Sequence, residues 1–474
     1  MFNFLFSAIG RILVWLARQL ARLIAWLTLQ AVRHPRTTST AGALAGGVAW
    51  LGWQLCATVA GGLFVALSTW KAAHPVTFEN TVGTWTRSWW NKWWIYRRTW
   101  EKVLTRCDLT IQAKGEVYLP KLKDVRSTPW WDHLTVEMPI GQSPKRYEHE
   151  ETADALRLGF KAERLVIKRL KPRLLELALM RRDPLLEPVP ATAIPASVQA
   201  IDWKRIPVGR DEFGQPYTIS LLGGHTAAAG SSGAGKASLE WNAMRAIAPA
   251  IAAGWVRLVF IDPKLMELAQ AKAIVAPSDY AAHEADVLEL LQRLVGEMGE
   301  RLADLGERGE RDFEPGPDRP LTLICIDELA PLLSIWKRST RDKIEDALRA
   351  LLTQGRAGGF ILLGAIQEPT KDVFQVRDLF TRRIALRLPN KSNTEAALIE
   401  DATDYGALSH EIPESLPGLL FSIESGARRA VRARFGHVRN EDVEELVAYV
   451  ENARKVVQLG DWAGTGTDRA ENAA

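Results

Sequence analysis

A glycine-rich stretch near the middle of the chain has the residue types and spacing that bind phosphate. Its eight residues, from Gly230 to Ala237, read GSSGAGKA, and an apolar run from His225 to Ala229 precedes them. A helix-like segment from Ser238 to Ala252 follows. Glycines let backbone N–H groups wrap an anion without Cβ clashes, and the helix N-terminus adds the positive end of its dipole. We therefore predict a phosphate-binding loop between a strand and a helix.

The loop predicts ATP and Mg²⁺ as cofactors. The nucleotide is expected to contact Gly230, Ser231, Ser232, Gly233, Ala234, Gly235, Lys236, Ala237 and Ser238. Lys236 should reach the β- and γ-phosphates, and the next residue is ordinarily a Ser or Thr that binds Mg²⁺. This chain has Ala237 there, and Ser238 is a poor substitute because it lies about 100° further round the helix. The predicted metal site therefore lacks one hydroxyl ligand.

Three further apolar runs end in polar residues. Val256–Ile261 is followed by Asp262-Pro263-Lys264, Leu321–Ile326 by Asp327-Glu328, and Phe360–Ile366 by Gln367. Continuous apolar runs that alternate with helices indicate an α/β fold with a parallel sheet covered on both faces. Chemistry in such a sheet gathers at the carboxyl ends of the strands, so these polar residues should lie near the phosphate loop.

The polar strand ends have residue types suited to phosphoryl transfer. Asp327 is placed to hold Mg²⁺ through water, and Glu328 to orient or deprotonate the attacking water. Gln367 should read the γ-phosphate from the neighbouring strand. A surface helix cap is the alternative for the acidic pair, but the apolar strand that leads into it weakens that interpretation.

Charge is distributed unevenly along the chain. The formal net charge is +4, yet the first 100 residues contain ten Lys or Arg and one acidic residue, Glu79. A basic front end favours an anionic surface such as a lipid bilayer. The remainder is net acidic, so any DNA contact there must come from local basic clusters. The three cysteines are far apart in sequence, which indicates neither a disulfide framework nor a zinc site.

Residues 1–105 are predicted to form a membrane anchor. No charged side chain occurs from Thr37 to Trp70, and about 20 apolar residues cross a bilayer, so we predict a transmembrane helix at about 40–70. Two short spans forming a hairpin are the alternative. Upstream, Arg11, Arg18 and Arg22 share one helical face, which suits an amphipathic helix lying in the membrane interface.

Tryptophan and basic residues alternate in the segment that follows the predicted span. Trp85, Trp89 and Trp93 are spaced by four residues, and Lys or Arg side chains are interleaved among them. This pattern is typical of an anchor at the depth of the lipid headgroups. Aromatic residues alternating with basic ones would also suit single-stranded nucleic acid, which is the alternative.

The rest of the chain divides into three parts. Residues 106–215 are predicted to be a small α/β adaptor that ends in a proline-rich linker, 184–195. Its expected elements are strands at 134–138 and 163–167 and a helix at 150–159, with either type at 174–180. The motor domain is placed at 216–440, and residues 441–474 are expected to be a helix followed by a disordered tail from residue 460.

The motifs of residues 216–440 resemble the FtsK/SpoIIIE motor domain, a RecA-like P-loop ATPase. The resemblance rests on VRLVFIDPKLMELAQ, the Asp327-Glu328-Leu329 step, GRAGGFILLGAIQEPTKDVF and TRRIALRL. With membrane helices ahead of a single motor, the chain is most similar to the TraB-type plasmid transfer proteins of actinobacteria. That resemblance assigns Lys236 as the phosphate lysine, Asp327 and Glu328 as the Walker B pair, and Gln367 as the sensor.

The same resemblance implies a biological role. It implies a homo-hexameric pump for double-stranded DNA in conjugative plasmid transfer, held in the bacterial inner membrane with its motor in the cytoplasm. Ring motors need an arginine supplied across the subunit boundary, for which Arg356 and Arg383 are candidates. An ordinary surface arginine is the alternative for each. Lys371 and Arg377, beyond the Gln367 strand, are weaker candidates for contacts with DNA phosphates.

Two other functions are compatible with the sequence. The first is a protein-export ATPase of the type VII kind, although such proteins usually carry several tandem ATPase modules and this chain has one P-loop. The second is a nucleotide-binding scaffold with impaired hydrolysis, which Ala237 motivates. No winged-helix DNA reader is evident after Val450, so we do not expect sequence-specific docking on DNA.

Overall fold

A computed structural model of the chain describes residues 53–467, apart from 114, 311, 371–372 and 424–428. The described residues form two compact units. The first comprises residues up to 160 together with 165–179, and the second comprises 161–164 together with 180 onward. The boundary that we predicted at residue 215 therefore falls inside the second unit, where strands at 206–219 join its large sheet.

The first unit begins with helical segments. They are α1 (Trp53–Ala73), α2 (Pro75–Phe78), a π-helical turn (Glu79–Gly83), α3 (Thr84–Trp90), a second π-helical turn (Asn91–Tyr96) and α4 (Arg97–Arg106). No helix in the described part of the chain is both long enough and apolar enough to cross a membrane. The predicted amphipathic helix and residues 40–52 of the predicted span lie outside the described residues.

Six strands and two helices complete the first unit. They are β1 (Ile111–Ala113), β2 (Glu116–Tyr118), β3 (Lys121–Ser127), β4 (Trp131–Glu137), α5 (Pro144–Glu148), α6 (Glu150–Gly159), β5 (Arg164–Lys171) and β6 (Leu174–Met180). Strands β1 and β2 pair with each other, and the other four form a sheet in the order β3-β4-β6-β5. Residues 174–180, whose type the sequence leaves open, are a strand.

The helical segments at 84–106 pack against the hairpin of β3 and β4. The hydroxyl of Tyr96 donates to Asp132 Oδ2 at 2.6 Å, and Trp100 Nε1 donates to the carbonyl of Pro120 at 2.7 Å. The side chain of Asn91 also donates to Asp132, at 3.1 Å. The division that we predicted at residue 105 therefore cuts through a packed structure, because these aromatic side chains belong to the core of the small sheet.

The second unit is built on one large, mostly parallel sheet. Its strands are β7 (Val189–Pro190), β8 (Ile206–Asp211), β9 (Pro216–Ile219), β10 (Thr226–Ala229), β11 (Val256–Ile261), β12 (Tyr280–Ala281), β13 (Leu321–Ile326), β14 (Phe360–Ile366), β15 (Arg382–Ala385), β16 (Leu419–Ile423) and β17 (Val431–His437). The order is β12-β11-β13-β14-β10-β15-β16-β17-β8-β9, with β7 beside β17. The first six strands in this order, from β12 to β15, are parallel to one another. The last four, β16, β17, β8 and β9, pair antiparallel with their neighbours.

Helices cover both faces of this sheet. The principal ones are α7 (Ser238–Ala246), α8 (Ala248–Ala252), α9 (Glu284–Glu307), α10 (Arg338–Gly358), α11 (Lys391–Ala397) and α12 (Asn440–Thr467). Successive residues of β13 alternate between two cores: Ile324 and Ile326 lie with α9 and α10, whereas Leu323 and Cys325 lie with α7 and α8. This two-sided burial explains why the strands are continuously apolar, as the sequence predicts.

Several elements match the predictions and three differ, since β7 lies within the linker that we predicted at 184–195. Strands β11, β13 and β14 have the predicted bounds. The helix predicted over 238–252 is two helices, which meet at Ile247 because its backbone is not helical and Pro249 begins the next turn. Helix α12 continues to Thr467, so residues 460–467 are helical where we predicted a disordered tail, and 468–474 lie outside the described residues.

Candidate nucleotide-binding site

The glycine-rich loop leaves the carboxyl end of β10, in the middle of the parallel strands. Gly233 and Gly235 have φ values of +71° and +90°, a region that favours glycine. A Cβ at Gly235 would also lie 2.8 Å from the backbone nitrogen of Gly418. Position 235 therefore requires glycine both for its backbone conformation and for the close approach of the neighbouring chain.

The loop presents backbone N–H groups as a cradle. It is held by its neighbours: the N–H of Gly230 donates to the carbonyl of Ile366 at 3.0 Å, and that of Ser231 to the carbonyl of Arg387 at 2.8 Å. Within the described residues, the N–H groups of Gly233, Gly235 and Lys236 have no hydrogen-bond partner. Unpaired N–H groups of a loop that opens a helix are what a phosphate requires, so the loop fits ATP.

Lys236 folds back over this loop. Its Nζ donates to the carbonyl of Gly230 at 2.8 Å and to that of Ser231 at 3.2 Å. Burial lowers the pKa of Lys236, and the nearby Glu328 carboxylate opposes this effect. The structure therefore places the lysine ammonium at the mouth of the cradle, as expected for a group that neutralises phosphate charge.

Asp327 follows β13 and has the features of an Mg²⁺ partner. Its side chain is 7 % exposed, and its Oδ2 is buried without a hydrogen-bond partner in the described part of the chain. Burial, reinforced by the nearby Asp262 carboxylate, raises the pKa of Asp327 to about 6. An unpartnered buried carboxylate oxygen is stabilised by a cation or by a water bound to one, so Asp327 fits Mg²⁺.

The metal site has few protein ligands. Ala237 contributes no side-chain oxygen, and the residues that the structure describes contain no group of three or more His, Cys, Asp or Glu side chains able to hold a metal. Mg²⁺ commonly takes most of its ligands from nucleotide phosphates and water, with one or two carboxylates from the protein. The residues present fit that arrangement.

Glu328 is held by groups from two neighbouring strands. Its side chain is 3 % exposed, and its Oε1 accepts from the backbone N–H of Gln367 at 3.0 Å. Its Oε2 forms an ion pair with Lys264 Nζ at 3.1 Å. Glu328 therefore connects the ends of β11, β13 and β14, and Gln367 contacts it through the backbone rather than the side chain.

Three side chains at this edge were not assigned a role from the sequence. Lys264 follows β11, and Arg387, shortly after β15, donates to the carbonyl of Ser232 in the loop at 3.0 Å. Both lie after strands of the parallel sheet. The rule that polar residues gather there already places Lys264 near the loop, and its application to β15 would also have found Arg387. Glu240, on α7, is different: both carboxylate oxygens are buried without a partner in the described residues, and burial raises its pKa well above the usual range. No sequence motif marks Glu240.

The arginine candidates lie away from the loop of their own chain. Arg356 precedes β14, at the opposite edge of the sheet, where it lines a cavity of about 430 Å³ with His225 and Thr381. Arg356 is exposed. Arg383 lies within β15 and is bound to Asp378 at 2.6 Å. Neither arrangement brings an arginine to the cradle within one chain, and their action in trans stays a prediction.

Of the two weaker candidates for DNA contact, the structure describes only Arg377. Lys371 lies outside the described residues. Arg377 donates from Nη1 to the carbonyl of Ala396 at 3.0 Å, and its side chain is 20 % exposed. Its guanidinium is therefore already engaged in holding α11, which lowers its availability to DNA.

Residues 196–404 match the model of the FtsK/SpoIIIE family. The matched range contains the loop, the acidic pair after β13 and the end of β14 that binds it. These residues are an FtsK/SpoIIIE family domain. The resemblance that the motifs indicate is confirmed for this range, and with it the P-loop ATPase fold of the second unit.

Part of this chain is similar in sequence to known bacterial proteins. The chain is 32 % identical over 225 residues to Protein Tra of Streptomyces lividans, covering 44 % of this chain and 34 % of that protein. It is 26 % identical over 270 residues to the DNA translocase FtsK of Staphylococcus epidermidis, covering 52 % and 32 % respectively. The chain spans about a third of the length of these curated relatives.

Two solved structures are similar to part of this chain, both with TM-scores below 0.5. The pCW3 conjugation coupling protein TcpA, in a monomer form with ATPγS, is 19 % identical with a TM-score of 0.46, covering 74 % of this chain and 98 % of that one. The cytoplasmic domain of the type VII secretion ATPase EccC of Thermomonospora curvata is 22 % identical with a TM-score of 0.43, covering 55 % and 32 %.

Proposed function

We propose that the chain is an ATP-driven translocase of double-stranded DNA. The observation that carries the proposal is the gathering of Lys236, Asp327 and Glu328 at one edge of the sheet, beside a loop with unpaired N–H groups. This edge lies within an FtsK/SpoIIIE family domain. The DNA substrate is inferred from the relatives named DNA translocase FtsK.

The proposed chemistry assigns one task to each residue. The loop N–H groups bind the phosphates of ATP, and Lys236 neutralises charge that develops on them. Mg²⁺, when bound, would neutralise further phosphate charge, with Asp327 holding it through water. Glu328 accepts the proton of the attacking water. Because the carboxylate is buried and fixed by the N–H of Gln367, its orientation is set before the nucleotide arrives.

A hexameric ring is proposed for the active assembly. An exposed arginine is needed to complete a site across a subunit boundary, and Arg356 is exposed whereas Arg383 is bound to Asp378. We therefore favour Arg356 as the arginine supplied in trans. Mixing Arg356→Ala chains with Lys236→Ala chains tests this assignment, because a mixed ring regains sites with both groups intact. Absence of any activity in mixtures would argue against it.

DNA binding is proposed to be weak, salt-dependent and indifferent to sequence. A motor must release each phosphate that it grips, and the region after residue 100 is net acidic, which leaves only local basic loops for the contacts. Phosphate contacts lower the logarithm of the binding constant by roughly 0.9 per contact for each tenfold rise in salt. A tight, sequence-selective complex at physiological salt would contradict this part of the proposal.

Attachment to the bacterial inner membrane, with the motor in the cytoplasm, is proposed from the first unit. Trp85 and Trp90 are 69 % and 54 % exposed, which is unusual for so large an apolar side chain. The guanidinium of Arg98 lies 4.2 Å from the centre of the Trp94 ring. Exposed tryptophans beside cations suit the headgroup region of an anionic bilayer. Co-sedimentation with anionic and neutral vesicles tests this attachment.

Conjugative plasmid transfer is proposed as the biological setting. The support is the similarity to Protein Tra of Streptomyces lividans, which is the most similar in sequence of the relatives described above. Loss of plasmid transfer in a strain that carries the Lys236→Ala chain, with normal chromosome segregation, is the expected phenotype. A segregation defect with normal transfer would place the motor on the chromosome instead.

A nucleotide-binding scaffold with slow hydrolysis is a second candidate. Two observations favour it: Ala237 supplies no metal ligand, and Glu328 is engaged in an ion pair with Lys264. Both features would slow turnover more than they would weaken nucleotide binding, because binding depends mainly on the loop N–H groups and Lys236.

The rate of ATP hydrolysis by the full-length chain in detergent separates the candidates. Stimulation by linear duplex DNA, absent in a Glu328→Gln chain that still binds ATPγS, supports the translocase. Binding of ATPγS with no turnover at any DNA concentration supports the scaffold. Hydrolysis that ignores DNA but responds to export-substrate peptides would support a protein-export ATPase. The Lys343→Ala chain, altered at an exposed position on α10, is the control.

A further inference from the structure

The loop after β11 places a second lysine at the nucleotide site. Lys264 lies two residues beyond Asp262, whose carboxylate accepts from the backbone N–H groups of Met266 at 3.4 Å and Ala269 at 3.1 Å. These bonds shape the loop, and Leu265 adopts a left-handed conformation with φ +57°. Lys264 thereby reaches across to the end of β13 and forms its ion pair with Glu328.

The two side chains of this ion pair differ in how exposed they are and in how freely they can move. The side chain of Lys264 is 37 % exposed, whereas that of Glu328 is 3 % exposed. Glu328 is also fixed from the other side, because its Oε1 accepts from the N–H of Gln367. The ammonium group can therefore move into the solvent-facing site while the carboxylate stays in place, so the pair opens by movement of the lysine.

We propose that Lys264 is a switch lysine that exchanges Glu328 for the γ-phosphate of ATP. While Lys264 pairs with Glu328, Oε2 of the carboxylate is occupied and accepts no proton from water. A γ-phosphate in the cradle competes for the same ammonium group. When the Lys264 ammonium moves to the phosphate, Oε2 of Glu328 becomes free. Lys264 thereby acts as a positioning residue for Glu328. The Glu328 carboxylate can accept a proton from water only when a triphosphate is bound. The inference rests on the proposed ATPase function.

Charge and position support this exchange. Lys264 lies close enough to the cradle for its charge to act on Lys236. Burial lowers the pKa of Lys236, and the positive charge of Lys264 lowers it further. The γ-phosphate carries more negative charge than one carboxylate, so it is the stronger partner for an exposed ammonium. ADP has no γ-phosphate and leaves the Lys264–Glu328 pair intact.

The first test compares two nucleotides on the full-length chain. Lys264→Met should weaken ATPγS binding by about tenfold or more, the loss expected for a charge-assisted hydrogen bond, and change ADP binding by less than about threefold. Lys264→Arg keeps the charge and should retain most of the preference for ATPγS. Lys272→Met removes a nearby lysine that contacts the Tyr280 ring and should change neither affinity. Equal losses for both nucleotides would overturn the proposal.

The second test measures the ion pair itself. Thermal unfolding of the parent, Lys264→Met, Glu328→Gln and the double variant forms a double-mutant cycle. The two changes should be non-additive without nucleotide and with ADP, and additive with saturating ATPγS, because the lysine has then left the carboxylate. Coupling that persists unchanged with ATPγS would also overturn the exchange.

The same data distinguish failure of the inference from failure of the proposed function. A parent chain that binds neither ATPγS nor ADP would remove the nucleotide site, and with it both the ATPase and the switch lysine. A parent that binds both nucleotides, together with a Lys264→Met chain that loses equal affinity for ATPγS and for ADP, would remove the switch lysine alone.

Discussion

The backbone N–H of Gln367 donates a 3.0 Å hydrogen bond to Oε1 of Glu328. The end of β14 thus fixes the carboxylate at the end of β13 without using a side chain. A substitution at position 367 keeps this N–H, so it leaves Glu328 in place. Residue 367 therefore has two distinct roles that the sequence alone does not distinguish. Its backbone N–H positions Glu328, and its side-chain amide is free to contact phosphate.

Substitutions at these two positions should therefore have unequal effects on turnover. Glu328→Gln removes the proton acceptor and should lower kcat by roughly 100-fold or more, without weakening ATPγS binding. Gln367→Ala should lower kcat by only about tenfold, because a side-chain contact to phosphate is lost while the N–H bond to Glu328 remains. Steady-state ATPase rates and ATPγS titrations measure both effects. An equal loss in both chains would mean that the Gln367 side chain is needed to position Glu328.

Ala237→Ser should raise the rate of ATP hydrolysis. The added hydroxyl supplies the Mg²⁺ ligand that the parent lacks, while water can replace it only loosely. Phosphoryl transfer depends on positioning and charge neutralisation, so kcat should rise and the Mg²⁺ concentration for half-maximal rate should fall, with little change in ATP affinity. Mg²⁺ is titrated at saturating ATP on the two chains side by side.

Two other outcomes of the Ala237→Ser comparison would change the assignment of the protein's function or of its metal site. An inactive parent that the serine restores would identify the natural chain as a scaffold with impaired hydrolysis. Equal rates at every Mg²⁺ concentration would show that the hydroxyl is dispensable, which would contradict this account of the metal site. Ala246→Ser, at a buried position of α7 outside the loop, is a control for packing effects of an added hydroxyl.

His225 should make the stability of the second unit depend on pH. Its side chain is 1 % exposed, and its Nδ1 accepts from the backbone N–H of Leu362 at 3.1 Å. Burial, helped by the nearby Arg356 guanidinium, lowers the pKa of His225 to about 4, from a model-compound value of 6.5. The unfolded chain therefore binds the proton more readily between these two pH values.

The sign of the effect follows from this difference in proton uptake. As pH falls from about 6.5 to 4, His225 should remove up to about 3 kcal/mol from the free energy of unfolding. His225→Asn retains an acceptor for Leu362 but takes up no proton, so its stability should fall less across this window. Urea unfolding at several pH values measures the slopes. The exposed His283→Asn is the control, and equal slopes for parent and His225→Asn would refute the prediction.

The stability of a truncated chain should depend on the packing of the first unit rather than on the predicted boundary at residue 105. Tyr96 is fully buried and Trp100 is 8 % exposed, and both pack on the small sheet. A chain that begins at residue 106 loses both, and each loss is worth roughly 3–5 kcal/mol in a core. Its small sheet should become sensitive to protease while nucleotide binding survives. A chain that begins at residue 84 should keep a protected sheet, and equal digestion of the two would contradict this packing.

The sequence predicts the large sheet well because its signal is local. Strands β11, β13 and β14 are buried on both faces, so each is a continuous apolar run with bounds that can be counted. The cradle is also predictable, since Gly233 and Gly235 are required at fixed positions of the loop. Asp327 and Glu328 follow from their place at a strand end.

Other features depend on contacts that no local pattern contains. The Lys264–Glu328 pair joins residues 64 positions apart, and the sequence shows only that each follows a strand. Glu240 is buried by the sheet beneath α7, which its helical neighbours do not reveal. Tyr96 and Trp100 lie in a stretch whose sequence is typical of a membrane interface, yet their side chains bind residues of the small sheet region that lie 36 and 20 positions later.

Displacement of a third strand from linear duplex DNA tests the central claim most directly, because only a moving motor removes a bound triplex-forming strand. Full-length chain is incubated with the triplex and ATP, with ATPγS, or with no nucleotide, beside the Lys236→Ala and Glu328→Gln chains. We predict displacement by the parent with ATP alone, and none by either variant, although Glu328→Gln still binds ATPγS. Hydrolysis of ATP by the parent at a rate that duplex DNA does not change, with the third strand left in place, would contradict the claim.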